Sequence, residues 1–310
     1  MHAGKARRGV ALLIFTTVAW GAMFAIAKTA LGSIDAFWLT TWRYVPAALA
    51  MLVLLWGAEG RTALSTGGAA KRLWMYGSLG FAGFSILGFL GLAWSRPEHA
   101  AIIVALMPLF TTLANWLVRG TRPNRVTLAA TLVAFAGAVL VITKGRLHGV
   151  ADGTLPADAL VLAGMLCWIG YTMGASTLPH FSTLRYTALS MALGTLTIVG
   201  VTLGATFGGF AHVPSASIVV DHAVDVAYLS LIAGVLAVFA WNAGIAALGP
   251  ANGVLFINLV PITAFAIGIA QGHRFGASEI AGGLLVIGAL IASNVAGRAS
   301  GVRTFMRSPA

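Results

Sequence analysis

Ten apolar stretches follow one another from Val10 to Gly297, and nearly all charged side chains fall between them or at the chain ends. An apolar helix of about 20 residues crosses a hydrocarbon layer ~30 Å thick with its backbone hydrogen bonds made internally. A water-soluble domain must surround its core with charge. With 9% charged and 59% hydrophobic residues, this chain has too little to do so. The fold class expected is all-α integral membrane, with ten transmembrane helices near 10–31, 36–56, 73–94, 98–118, 125–143, 157–177, 184–204, 224–247, 250–271 and 277–297. The run from Val224 to Ala270 has no charge to divide it, but its length requires two crossings, and Gly249-Pro250 marks the break.

The net charge of +11 reports orientation rather than a nucleic-acid partner. With the N-terminus inside, the inner segments hold Lys5, Arg7, Arg8, Arg61, Lys71, Arg72, Arg119, Arg122, Arg125, Arg185, Arg298, Arg303 and Arg307. The outer segments hold Lys28, Arg43, Arg96, Lys144, Arg146 and Arg274, together with the acids Asp35, Glu98, Asp152, Asp158, Asp221, Asp225 and Glu279. Basic residues concentrated inside orient a multi-pass protein with both termini in the cytoplasm, in a bacterial inner membrane. The first apolar run follows Lys5, Arg7 and Arg8 but exceeds a signal peptide's hydrophobic region of about 7–15 residues, so it reads as a retained helix. Cys167, the sole cysteine, lies in mid-span and leaves the redox compartment unread.

The halves 1–150 and 151–310 carry matching landmarks. Trp20 and Trp168 sit in the middle of spans 1 and 6. Pro97 and Pro250 open spans 4 and 9, and Pro108 and Pro261 follow each by eleven residues. Small residues at every fourth position, Ala130, Ala134 and Ala138 in span 5 and Gly288, Ala292 and Ala296 in span 10, predict a close-packing face on each helix. Five spans per half is an odd number, so the second repeat must cross in the opposite sense. Inverted repeats place a substrate site near the midplane where they meet, which points to alternating-access transport.

Trp20-Gly21, Lys28, Arg43 and the prolines Pro108 and Pro261 together resemble the drug/metabolite transporter superfamily, EamA branch, over nearly the whole chain. The resemblance implies two inverted five-helix repeats around a central cavity, with spans 5 and 10 packed outside it, and export of small metabolites. The tryptophan-rich spans look most like the aromatic amino-acid exporters of the YddG-like group. One departure is that Gly120-Thr121 and Gly272-His273 stand where the family commonly has Gly-Glu after spans 4 and 9.

No Asp or Glu occupies the central third of any span, which argues against an exchanger of protons for cationic drugs, since that chemistry needs a buried carboxylate. The expected partners are a neutral or zwitterionic small molecule and the lipid bilayer, for a monomer. Substrate contacts are expected first from Trp20 and Trp168, because an indole N–H at mid-depth needs a partner. Asn258 beside Pro261, and Thr111, Thr112 and Asn115 after Pro108, are placed to serve either a cavity or the kink that a proline leaves. Tyr76, Ser78, Tyr171, Ser85, Thr172, Trp241 and Asn242 are weighed evenly between pore and packing. Trp94 marks the outer mouth or, like Trp42, Trp56 and Trp74, an interfacial belt. Arg43 is expected to snorkel or pair structurally rather than hold a carboxylate. His99, beside Glu98, reads as a solvated helix end near a mouth. The seven histidines are scattered, and Gly77-Ser78-Leu79-Gly80 is no nucleophile motif, so neither a metal, a cofactor nor an enzyme is expected.

Overall fold

The computed structural model describes residues 2–120, 122–123, 125–145, 154–248 and 254–306. Thr121, Arg146, Asp152, Arg307, the Gly249-Pro250 break and the 150/151 repeat boundary lie outside them. The described residues are helical with short turns. In chain order the helices are α1 (His2–Ala30), α2 (Ala36–Glu59), α3 (Ala70–Trp94), α4 (Pro97–Ala105), α5 (Met107–Arg119) and α6 (Arg125–Thr143). Then come α7 (Leu155–Ala175), α8 (Thr183–Phe207), the short α9 (Ala216–Asp221), α10 (Ala223–Leu248), α11 (Leu259–Ala270) and α12 (Ala277–Met306). Among the described residues, seven helices are each long and apolar enough to cross a membrane, and α4 with α5 makes an eighth if that bent pair is one span. Two shorter apolar helices cover Phe256–Ala270 and Ala277–Ser293.

Spans 4 and 9, where Pro108 and Pro261 predict kinks, are interrupted just before those prolines. Span 4 bends by 41° at Leu106, between α4 and α5. The described part of span 9 opens with a 3-10 turn, Val254–Asn258, and becomes α-helical at Leu259. Pro108 and Pro261 therefore stand at the second and third residues of new helical segments, where a missing N–H costs little. Gly120 and Gly272, in the turns after these segments, adopt φ of 70° and 86°, a conformation open to glycine. Spans 3 and 8 hold a feature that no sequence landmark announced. Ser78–Gly83 in α3 and Tyr228–Leu236 in α10 are π-helical.

Helices pair across the two halves. α6 packs on α12, α2 on α8, α1 on α10 and α11, and α7 on α3 and α4. The alanine face of α6 is as expected, with Ala130, Ala134 and Ala138 all buried. Its counterpart is not. Gly288 and Ala292 are exposed, a Cβ on Gly288 would meet nothing within 4 Å, and the side chain of Ala296 falls outside the described residues. The close approach uses Gly137 and Gly282 instead, each with the other's carbonyl oxygen where a Cβ would go, at 2.7 and 2.5 Å. An Ala/Gly-rich helix carries small triplets on several faces, and packing selects one of them.

Candidate functional site

The broken and widened helices converge on a cavity of about 90 Å³. Its wall takes Trp20, Met23 and Phe24 from α1, Arg43 and Tyr44 from α2, Phe81 and Phe84 from α3, and Val104 and Met107 from either side of the α4–α5 bend. The other half supplies Trp168 from α7, Met191 from α8, Ala233, Gly234 and Val238 from α10, Ile257 from the 3-10 turn and Val260 from α11. None of these residues belongs to α6 or α12. Typical small-molecule pockets are about 300–1,000 Å³, so this is a narrow cavity.

Trp20 and Trp168 both line it, each leaning on the π-helical region of the other half. The Trp20 indole donates to the Ala233 carbonyl at 3.1 Å and lies 5.4 Å from the Trp241 ring. The Trp168 ring lies 5.2 Å from Phe84 and 6.1 Å, edge-on, from Phe81. Gly21, next to Trp20, serves packing. A Cβ there would come within 2.6 Å of Thr263 and 2.8 Å of the Val260 oxygen, so glycine lets α11 approach α1.

The remaining sequence candidates scatter. Tyr171 is buried behind Trp168, its ring 5.0–5.1 Å from Phe81, Trp168 and Tyr186, and does not line the cavity. Tyr76 accepts from Thr177 at 3.4 Å, and the Ser78 hydroxyl meets that of Thr197 at 2.6 Å. Asn258 is buried with Oδ1 unpartnered, one residue from the cavity-lining Ile257. Pro108 is half-buried, whereas Pro261 lines a separate groove between α11 and α12. Thr111, Thr112 and Asn115 bond the Met107, Pro108 and Thr111 carbonyls within α5 and reach neither the cavity wall nor the Val104 carbonyl, to which Pro108 has no N–H to donate. Ser85 donates to the Tyr44 hydroxyl at 3.0 Å.

Arg43 departs most from expectation. It neither snorkels nor pairs. It is 4% exposed, lines the cavity, and leaves Nε and Nη1 without a hydrogen-bond partner. Position along α2 alone did not show which face of the helix turned inward. The apolar lining residues, Phe24, Phe81 and Met191 among them, gave no sequence signal either, because lipid-facing and cavity-facing apolar residues look alike.

One end of the bundle carries a second constellation. Trp94 is 80% exposed and borders a vestibule of about 460 Å³ with Lys28, Thr29, Arg96, Gln271 and His273. The Lys28 ammonium donates to the Leu92, Ala93 and Ser95 carbonyls at 2.8–2.9 Å, capping the end of α3. His99 is not a solvated helix end. It is 1% exposed, with Nδ1 3.3 Å from the Asp158 carboxylate of α7, which also accepts from Ser95. Glu98, equally buried, lies 3.1 Å from His273 and 3.5 Å from Arg96, and Arg96 pairs with Glu279 at 2.6 Å. The burial follows from α7 and the turn after α11 packing over the start of α4. Among the described residues no group of three or more His, Cys, Asp or Glu side chains is placed to hold a metal ion.

The EamA-like transporter family model matches this chain twice, over residues 7–143 and 155–295. The uncharacterized transporter YrdR of Bacillus subtilis (strain 168) is 33% identical over 301 residues, 95% of this chain and 94% of that protein. A probable terminal-alkyne amino-acid exporter of Streptantibioticus cattleyicolor is 23% identical, covering 85% of each chain. One solved crystal structure superposes with a TM-score of 0.65 at 17% identity, over 96% of this chain and 99% of that one, a likeness of fold alone. An apolar cavity walled from both halves, apolar helices that pair across them, and a family match in each half lead to one assignment: the chain belongs to the EamA-like transporter family and is a multi-pass membrane transporter.

Proposed function

We propose that this transporter exports neutral amino acids with aromatic or large apolar side chains by alternating access. It would cross a bacterial inner membrane ten times, in two inverted five-helix repeats (1–150 and 151–310) with both termini cytoplasmic. The observation that carries this reading is the cavity, whose wall holds Trp20 and Trp168 from the two halves and no acidic side chain. Indole and phenyl rings give a stacking surface for a substrate's apolar part. A lipophilic dication finds no carboxylate to pair with in the cavity wall. The helix pairing supports inverted symmetry. α1 meets α10 and α11 as α7 meets α3 and α4, while α2–α8 and α6–α12 each join corresponding helices. The likeness to the Streptantibioticus exporter and to the YddG-like group supports amino acids as the substrate class. At about 90 Å³ the cavity is too tight for such a substrate, so its walls must part to load one.

The test is counterflow in proteoliposomes, with phenylalanine, methionine, lysine and a methyl-viologen-type dication competing for uptake. Phenylalanine and methionine are expected to compete and the dication to be inert. Competition by the dication alone overturns the reading in favour of drug export.

A further inference from the structure

The cavity wall is apolar or aromatic except at Arg43. Its guanidinium brings a formal positive charge and only hydrogen-bond donors into the wall. Arg43 is 96% removed from solvent, and its Nε and Nη1 protons meet no acceptor. Its central carbon lies 4.9 Å from the Tyr44 ring centroid and 5.5 Å from that of Phe89. The Tyr44 ring is itself fixed by the hydrogen bond from Ser85. The two rings hold the guanidinium plane in place without neutralising it. An unpaired buried charge is strongly unfavourable, and Met or Leu would fill the same volume without that penalty. Within membranes, such a charge marks a place where a ligand brings the partner.

We propose that Arg43 is the seat for the substrate's carboxylate, so that the cavity selects small monocarboxylates whose apolar body lies against Trp20, Phe24, Phe81 and Trp168. This rests on the transporter reading of the same cavity and adds the group that is recognised. The planar fork offers two parallel N–H donors to the two carboxylate oxygens, and the bound pair is neutral as a whole. Ligands with an ammonium and no carboxylate meet like charge instead. An isosteric amide loses both the charge and one acceptor.

Calorimetric titration of the purified full chain in detergent tests this with 3-phenylpropionate, 3-phenylpropionamide and phenethylamine. The acid should bind at least about tenfold tighter than the amide, with the amine weakest. Arg43→Gln should abolish the acid-to-amide ratio and Arg43→Lys should keep part of it, since a point charge replaces the fork. Equal binding of acid and amide to the wild type overturns the proposal, as does binding of none of the three. The wild-type ratio decides even if Arg43→Gln fails to fold. A ratio that survives in folded Arg43→Gln overturns the proposal too. Counterflow separates the two readings. Amino-acid exchange inhibited equally by acid and amide leaves the export reading standing and removes the Arg43 seat. Arg43-dependent carboxylate binding without amino-acid exchange does the reverse.

Discussion

Where α1 ends and α4 begins, Glu98, His99, Asp158 and Glu279 are packed out of water and joined by charge and hydrogen bonds that cross between the halves. Where α2 ends and α8 begins, the polar ties are surface ones: Arg72 to the Thr177 carbonyl at 3.2 Å, Arg185 to the Ser65 carbonyl at 2.8 Å, and Ser182 to Glu59 at 2.5 Å. What holds the halves together on this side is close backbone packing. A Cβ on Gly77 of α3 would fall 1.9 Å from the Ser190 oxygen of α8, and one on Gly194 of α8 would fall 2.4 Å from the Gly77 oxygen. These two kinds of joint respond differently to separation. Charges drawn apart regain hydration, so a buried ion pair often contributes little net stability. Packed backbone recovers nothing comparable when it separates. The acid-rich end carries both kinds of joint, since a Cβ on Gly91 of α3 would fall 2.4 Å from the Ala157 oxygen of α7, so the two ends differ in the buried charges added at one of them.

Three substitutions can break this contrast. Asp158→Ala leaves Ser95 buried without its acceptor and takes away the carboxylate 3.3 Å from His99, and breaking one side of such a buried pair costs about 3–5 kcal/mol, read as a lowered unfolding temperature in detergent. An unchanged transition would mean that the buried pair does not hold the acid-rich end. Gly77→Ala forces the α3–α8 crossing apart and should cost about 1–3 kcal/mol or more, measured in the same way. A wild-type melting point here would remove the packed joint from the comparison. Arg72→Ala, which loses one bond at an exposed position, should change stability by less than about 0.5 kcal/mol. A larger loss would show that the surface ties share the load.

The contrast also marks what the sequence could disclose. Hydropathy and length revealed the helices, because the bilayer imposes both on every crossing. The matched positions of Trp20 and Trp168 singled out two residues that line the cavity, one from each half. The apolar face of a membrane helix is ambiguous, so Phe24, Phe81 and Met191 could not be told from residues facing lipid. His99 looked solvated because its partner, Asp158, comes from another helix whose docking is a tertiary fact. Arg43 was visible as a charge within a span, but which way it faces depends on how α2 turns against its neighbours. The stripe Gly288, Ala292 and Ala296 misled because spacing names a face without naming what lies opposite it.

The two π-helical stretches, one in α3 and one in α10, bear on how the cavity can change its bore. A π turn holds a surplus residue that an α-helix of the same rise has no room for. Moving that surplus along the helix exchanges one backbone bond for its neighbour and rotates the side chains it passes by about 100°, the angular step of one residue. Phe81 sits in the first stretch, and Ala233 and Gly234 sit in the second, on the opposite wall. Slack of one residue at Phe81 is thus the means to swing a bulky ring in or out while the helix stays whole, and at Ala233 and Gly234 it resets the small-residue surface opposite, a lever on bore that is independent of whether the two halves part.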